Sequence, residues 1–168
     1  MMARAQPKLA LRPYLPADAF MLAEIFRSSI EQLTGEDYSE AQQQAWAATA
    51  DDEQAFAARL VSDLTLIATL DGSPVGFASL KGPDRIEMLY VHPAVARQGV
   101  GSMLVDALEK LATARGTKRL TVDASDTASG FFDKRGYVAQ QRNTVTCGDE
   151  WIANTTMEKR LTAEPSAS

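Results

Sequence analysis

The residues best placed to do chemistry lie between positions 89 and 102. Leu89-Tyr90-Val91-His92-Pro93 ends an extended run, and Ala96-Arg97-Gln98-Gly99-Val100-Gly101-Ser102 leads into an amphipathic stretch. Glycines remove the Cβ atoms that would block close approach, so several backbone N–H groups can converge on an anion. A helix beginning at that point adds the partial positive charge of its N-terminus. Arg97 can add a charge-assisted contact. This composition predicts a cradle for a pyrophosphate. The competing reading is a tight loop whose glycines only permit the turn, and the strand-before, helix-after context favours the cradle. The pattern GxxxxGK(S/T) is absent, and neither a third glycine nor an opening βαβ unit completes a dinucleotide fingerprint.

Other reactive side chains are isolated. Cys147 falls in a turn with no base beside it, which favours a structural thiol over a nucleophile. His92 precedes Pro93 and reads as a loop residue. Trp46 and Trp151 can line a pocket, but core packing is the better reading for both.

The elements that must position the loop follow from periodicity. Leu9 and Leu11 open a first strand. Leu22, Ile25, Phe26, Ser29, Ile30 and Leu33 recur at helical spacing within Pro16 to Leu33. Ser39 with Gln42, and Asp51 with Gln54, have the spacing of capping boxes before two further helices. Three strands then follow, Leu64 to Leu70, Pro74 to Leu80 and Arg85 to Val91, turned at Asp71-Gly72-Ser73 and Gly82-Pro83-Asp84. Gly101 to Arg115 is an amphipathic helix stopped by Gly116. It leads to a strand at Arg119 to Ala124, which the helical crossover makes parallel to its predecessor. A helix at about Asp126 to Arg135 and a closing hairpin, Tyr137 to Thr146 with Trp151 to Arg160, complete the chain. The expected architecture is mixed α/β: a mostly antiparallel sheet of about seven strands with one parallel junction between strands 4 and 5, flanked by helices.

Bulk properties narrow the function classes. The 168 residues are 45% hydrophobic and 23% charged, the balance of an ordinary globular chain, and the length fits one domain. A net charge of −5 disfavours a nucleic-acid surface. No stretch approaches the ~20 apolar residues of a membrane helix, and residues 1–13 lack the apolar run of a signal peptide. A single cysteine fits a reducing compartment, so the expectation is a cytoplasmic protein, monomer or homodimer, without nucleic-acid or membrane partners. One histidine argues against a His-rich metal site, and no metal is expected.

Two segments carry a family resemblance. Val91-His92-Pro93 followed by Gly99 and Gly101 is similar to the V-x-P strand exit and the Gln/Arg-x-x-Gly-x-Gly/Ala loop of the GNAT superfamily of N-acetyltransferases. Ala128 to Tyr137 (ASGFFDKRGY) resembles that family's A-x-x-F-Y-x-x-x-G-F/Y block. Ala96 stands where the family has Gln or Arg, and Phe132 where it has Tyr. The resemblance spans residues 74 to 137. It implies a single N-acetyltransferase domain over 1–161, with a variable acceptor-side helical region at 16–61, a coenzyme-binding core at 85–137, and a flexible tail at 162–168. It further implies acetyl-coenzyme A as co-substrate in a V between strands 4 and 5. Backbone groups of Leu89, Tyr90 and Val91 would pair with the pantetheine arm, and the Val91 N–H would polarise the thioester carbonyl. Arg97, Gln98, Gly99, Val100, Gly101 and Ser102 would hold the pyrophosphate, and Ser125, Phe132 and Lys134 would add cofactor contacts.

The implied reaction moves an acetyl group to a primary amine of a small molecule or peptide by direct attack in a ternary complex. An alkylammonium with a pKa near ~10 must first lose a proton. Glu87, on the alternation parity of Leu89 and Val91, and Asp123, at the end of strand 5, are both candidate bases. Each can instead be structural, as a solvated strand residue or a cap. Phe132 cannot donate a proton, so the general acid stays unassigned, with Tyr90 and Tyr137 nearby in sequence. Phe132 and Ala96 also motivate an alternative, a non-catalytic acetyl-coenzyme A-binding module. A weaker third reading is a mononucleotide-binding regulator. The acidic balance favours cationic acceptors by long-range steering.

Overall fold

The computed structural model describes residues 8–162; most of the flexible tail expected at 162–168 lies outside the described residues. Seven strands form one sheet: β1 (Leu9–Pro13), β2 (Leu64–Leu70), β3 (Ser73–Lys81), β4 (Arg85–Val91), β5 (Arg119–Ser125), β6 (Val138–Cys147) and β7 (Glu150–Arg160). Their order is β1-β2-β3-β4-β5-β7-β6, and only β4–β5 is parallel. The mixed sheet and its single parallel junction are as expected. The closing hairpin is inserted so that β7 lies against β5 and β6 forms the edge. Burial explains the choice: Ile152 and Met157 of β7 are buried, whereas most of β6 is exposed.

Both faces of the central strands are covered, which is why Leu64 to Leu70 reads as a nearly unbroken apolar run. On one face, α1 (Ala19–Leu33) and α3 (Glu53–Ser62) bury Leu22, Phe26, Ile30 and Phe56 against Ile67, Phe77 and Met88. The short α2 (Glu40–Ala47) closes that layer near the β6–β7 tip. On the other face, α4 (Val100–Ala114) and α5 (Ser129–Lys134) bury Leu104, Leu108 and Phe132 against Ala78, Ile86, Leu120 and Val122.

Local chemistry sets the helix starts. Ser39 and Gln42 form the reciprocal capping box, with Gln42 N donating to Ser39 Oγ at 3.1 Å and Ser39 N donating to Gln42 Oε1 at 2.8 Å. The cap of α3 is Asp52, accepting from Ala55 N at 3.0 Å, and not Asp51. Asp51 ends the turn after α2 and faces Arg27, 3.4 Å away. The last helix is shorter than its pattern suggested, because Ala128 N donates to Ser125 Oγ and holds residues 126–128 in a turn.

One irregularity shapes the molecule's centre. Ser79 pairs with Met88 but Leu80 pairs with Ile86, which leaves Glu87 as a β-bulge in β4. A bulge bends its strand and reverses the facing of the residues beyond it. Ile86 belongs to the α4-side core, Met88 to the α1-side core, and Leu89 and Val91 pack on the α4 side again. The expectation that Glu87 shares the facing of Leu89 and Val91 is therefore corrected. Pairing with β5 is confined to Arg85↔Thr121 and Ile86↔Val122, so the two strands part where the bulge begins.

Gly76 on β3 lets α4 seat closely. A Cβ there would lie 3.0 Å from Val100 Cγ1, 3.2 Å from Tyr90 O and 3.4 Å from Leu104 Cδ1. Gly76→Ala is expected to cost about 1–3 kcal/mol by overpacking. Denaturant unfolding measures this, and an unchanged midpoint would show that the start of α4 yields freely.

Candidate active site

The parting of β4 and β5 opens a groove of about 1210 Å³. Its first half is built by the loop between β4 and α4. Gly99 caps α4 at φ 85°, a left-handed conformation that glycine adopts without strain, and Arg97 holds φ 65° beside it. Ala96 N donates to Pro93 O and Gln98 N to Val95 O, and the first helical bond is Met103 N to Gly99 O. Among the described residues, the N–H groups of Arg97, Gly99, Val100, Gly101 and Ser102 therefore have no acceptor in the protein. Four of these are the donors that every helix start leaves open. Five open amides at the positive end of α4 can receive an anion.

The strand edges supply the second half. His92 N donates to Val75 O at 2.8 Å, so by two-residue alternation Tyr90 also turns its backbone to β3. Leu89 and Val91 turn theirs to the groove. Of the three residues expected to offer backbone groups, Leu89 and Val91 present theirs to the groove and Tyr90 does not. Tyr90 contributes its side chain, packed edge-on against Phe26 and near Trp46, with ring centroids 4.6 and 6.3 Å away.

An ion-pair relay ties the strands together below the opening. The Arg85 guanidinium donates to Asp123 Oδ2, and its Nε donates to Glu87 Oε2 at 3.2 Å. The other Asp123 oxygen accepts from Thr156 Oγ1 at 2.6 Å, and that hydroxyl accepts from Asn143 Nδ2 at 2.7 Å. The chain Arg85–Asp123–Thr156–Asn143 crosses β4, β5, β7 and β6. Both Asp123 oxygens are engaged. Glu87 keeps Oε1 without a partner among the described residues, and its side chain is 23% exposed toward the groove.

Glu87, Asp123, Leu89, Tyr90, Val91, Arg97, Gly99, Val100, Gly101, Ser102, Ser125, Phe132 and Lys134 all line this one groove. Gln98 does not: its side chain turns back to Ala94 O at 3.4 Å, and its backbone N–H is spent on Val95. Phe132 is buried between Phe131 and Tyr137, with both centroids 5.1 Å away. Tyr137 is also buried, and its hydroxyl donates to Glu109 Oε2 at 3.1 Å, away from the groove. Burial and that carboxylate hold its phenol well above the ordinary range. Burial likewise pushes the Tyr90 phenol up to about 12. The Tyr90 ring is packed among Phe26, Trp46 and Phe77, which is the role its contacts show.

Several groove residues escaped the sequence reading. Arg85 has a signal, a cation two places before Glu87 on one strand. Tyr38 has none: its hydroxyl donates to Ala153 O at 2.7 Å and accepts from Asp126 N at 2.8 Å, across the whole fold. Trp46 packs on Tyr38 while lining the groove, but Trp151 is 60% exposed and is not the core residue expected. Cys147 also lines the groove. Its Sγ donates to Ala45 O at 3.3 Å, and burial pushes the thiol up. His92 caps the loop, accepting from Ala94 N at 3.0 Å through Nδ1. Among the described residues no cluster of His, Cys, Asp and Glu can hold a metal ion, and no helix is long and apolar enough to cross a membrane.

Comparison with known proteins gives consistent matches. Residues 34–161 match the family model described as an acetyltransferase (GNAT) domain. The uncharacterized N-acetyltransferase YafP of Escherichia coli (strain K12) is 34% identical over 146 residues, covering 87% of this chain and 92% of that protein. A crystal structure of a GCN5-related N-acetyltransferase from Rhodopseudomonas palustris is 66% identical, with a TM-score of 0.90 over 96% of this chain and 99% of that one. The PaiA N-acetyltransferase from Thermoplasma acidophilum, solved in complex with coenzyme A, shares the fold at 22% identity. Its TM-score is 0.76 over 91% of this chain and 99% of that one.

Proposed function

The chain belongs to the GNAT acetyltransferase family and is an N-acetyltransferase, and on that basis we propose that it moves the acetyl group of acetyl-coenzyme A to a primary amine by direct attack in a ternary complex. The observation that carries this reading is the groove itself, with five unpartnered loop amides at one end and the free edge of β4 beside them. In this reading residues 85–137 hold the coenzyme and the helical region 16–61 bounds the acceptor side. The coenzyme supplies an acetyl thioester whose carbonyl carbon accepts the amine.

This chain's residues then have distinct tasks. The amides of Arg97, Gly99, Val100, Gly101 and Ser102 hold the pyrophosphate, and Arg97 and Lys134 add positive charge. Leu89 and Val91 offer backbone groups to the pantetheine arm, and the Val91 N–H stabilises negative charge on the carbonyl oxygen. Glu87, through its free Oε1, takes the proton the amine must lose. Asp123 is the lesser candidate, because Arg85 and Thr156 already occupy both of its oxygens. With Phe132 in the tyrosine position and the Tyr137 hydroxyl turned to Glu109, the thiolate departs without an assigned protein donor and takes its proton from solvent. Direct attack is favoured over an acetyl-cysteine route because the Cys147 thiol is held protonated, donating to Ala45.

The test is ligand binding followed by turnover. Acetyl-coenzyme A at one hundred times its dissociation constant should add roughly 2.7 kcal/mol of stability. Absence of any thermal shift at saturation would overturn the placement of the coenzyme in this groove. Thiol release from acetyl-coenzyme A with a panel of amines then reports transfer.

A further inference from the structure

The acceptor half of the groove carries an unusual charge arrangement. Four charged side chains line it on the amine side: Arg59, Arg85, Glu87 and Asp123. Arg85 is spent between the two carboxylates. Arg59, near the end of α3, makes no ion pair and no side-chain hydrogen bond among the described residues. Asp63, at the end of the same helix, senses both Arg59 and Glu87 but lies outside the lining and pairs with neither. Arg59 and Glu87 line the same groove as Tyr90, so a free cation and a free carboxylate oxygen share one cavity. The same lining includes apolar and aromatic side chains, among them Leu33, Tyr38, Trp46 and Ile152.

A groove for a polycation would present several unpaired carboxylates, and this one presents a single usable acid opposite a single free base. Resting on the acetyl-transfer reading above, we infer that the acceptor is an amine that also carries a carboxylate, of the amino-acid type with an apolar or aromatic body. Its ammonium faces Glu87, its carboxylate pairs with Arg59, and its body lies against Trp46 and Leu33. Arginine suits this role because its planar fork accepts a carboxylate in bidentate fashion. The local charge pattern thereby opposes the protein's overall acidity, which by itself favours cationic acceptors. Nearby groups decide at contact distance, because solvent screens the distant ones beyond about 8–10 Å.

Matched acceptors test the inference: phenylalanine, phenylalaninamide and 2-phenylethylamine, leucine with leucinamide, and spermidine. The readout is kcat/KM for thiol release, with acetyl-coenzyme A binding followed in parallel by thermal shift. The acids should exceed their amides by about 10–100-fold, the worth of one charge-assisted pair. An amide's amine is the more easily deprotonated, so this comparison is biased against the expected result. Arg59→Gln should bring the acid-to-amide ratio close to one, and Arg59→Lys should restore part of it. Amides or spermidine used as well as the acids overturns the inference, as does an acid-to-amide ratio that Arg59→Gln leaves intact. So does a protein that acetyl-coenzyme A stabilises but that acetylates none of these acceptors. If acetyl-coenzyme A gives no stabilisation, the underlying reading falls first and this one with it.

Discussion

Glu87→Gln is expected to lower turnover at neutral pH by about 10²–10⁴-fold, the usual worth of a general base. The substitution keeps the shape and the Arg85 contact but removes the ability to take a proton. The size of the loss follows from the acceptor. At neutral pH an alkylamine with a pKa near ~10.4 is unprotonated in only about one molecule in 2,500, and the loss is smaller for a less basic α-amine. Raising the pH delivers more free amine, tenfold per unit, and activity in the variant should climb with it. Coenzyme affinity should hardly change, because Glu87 lies at the splay and not in the loop. Asp123→Asn is the informative partner. It disturbs the relay from Arg85 to Thr156, so a loss of stability without pH rescue is expected. The reverse pattern, pH rescue for Asp123→Asn and none for Glu87→Gln, would move the base to β5. If neither variant loses activity, the acceptor arrives as free amine and the enzyme works by positioning alone.

Gly101→Val is expected to weaken acetyl-coenzyme A binding by about 100-fold or more while the protein still folds. A Cβ at Gly101 meets Phe131 at 3.7 Å and Val91 Cγ2 at 3.9 Å, ordinary contacts that alanine tolerates. The added methyl groups of valine enter the space over the loop amides. Displacing an anion from two charge-assisted amide contacts costs about 3–6 kcal/mol, which is the basis of the expected loss. Calorimetric titration measures it, with Gly101→Ala as the milder step. Arg97→Ala should cost less than Gly101→Val, since the backbone amides remain. A larger effect from Arg97 would show that the guanidinium dominates the cradle.

Some elements were legible because they depend on neighbours in sequence. The α4 stripe, the Ser39–Gln42 capping box and the glycines before α4 are local, and each stands where its pattern indicates. The helix crossing from β4 to β5 dictates a parallel junction, since a crossover of that kind returns the chain in the same direction. The capping residue of α3 is Asp52 rather than Asp51, whose carboxylate faces Arg27. The last helix was overextended because the Ser125 hydroxyl competes for a local amide.

Fold class, the glycine loop before α4 and family are readable along the chain, because they rest on period, glycine placement and short motifs. Which carboxylate is free was decided only in three dimensions. A bulge is a mismatch between two strands, visible only once β3 and β4 are paired, and it is this bulge that turns Glu87 from the parity of Leu89 and Val91 and parts β4 from β5. Asp123 and Glu87 look equivalent as residue types. Arg85 and Thr156, 38 and 33 residues from Asp123, occupy both oxygens of one and leave an oxygen of the other open. The Tyr38 hydroxyl, the insertion of β7 beside β5 and the unpaired Arg59 are likewise products of contacts between distant segments. Packing and charge pairing act through space, so a chain's spacing reveals them only where the partners are also close in sequence.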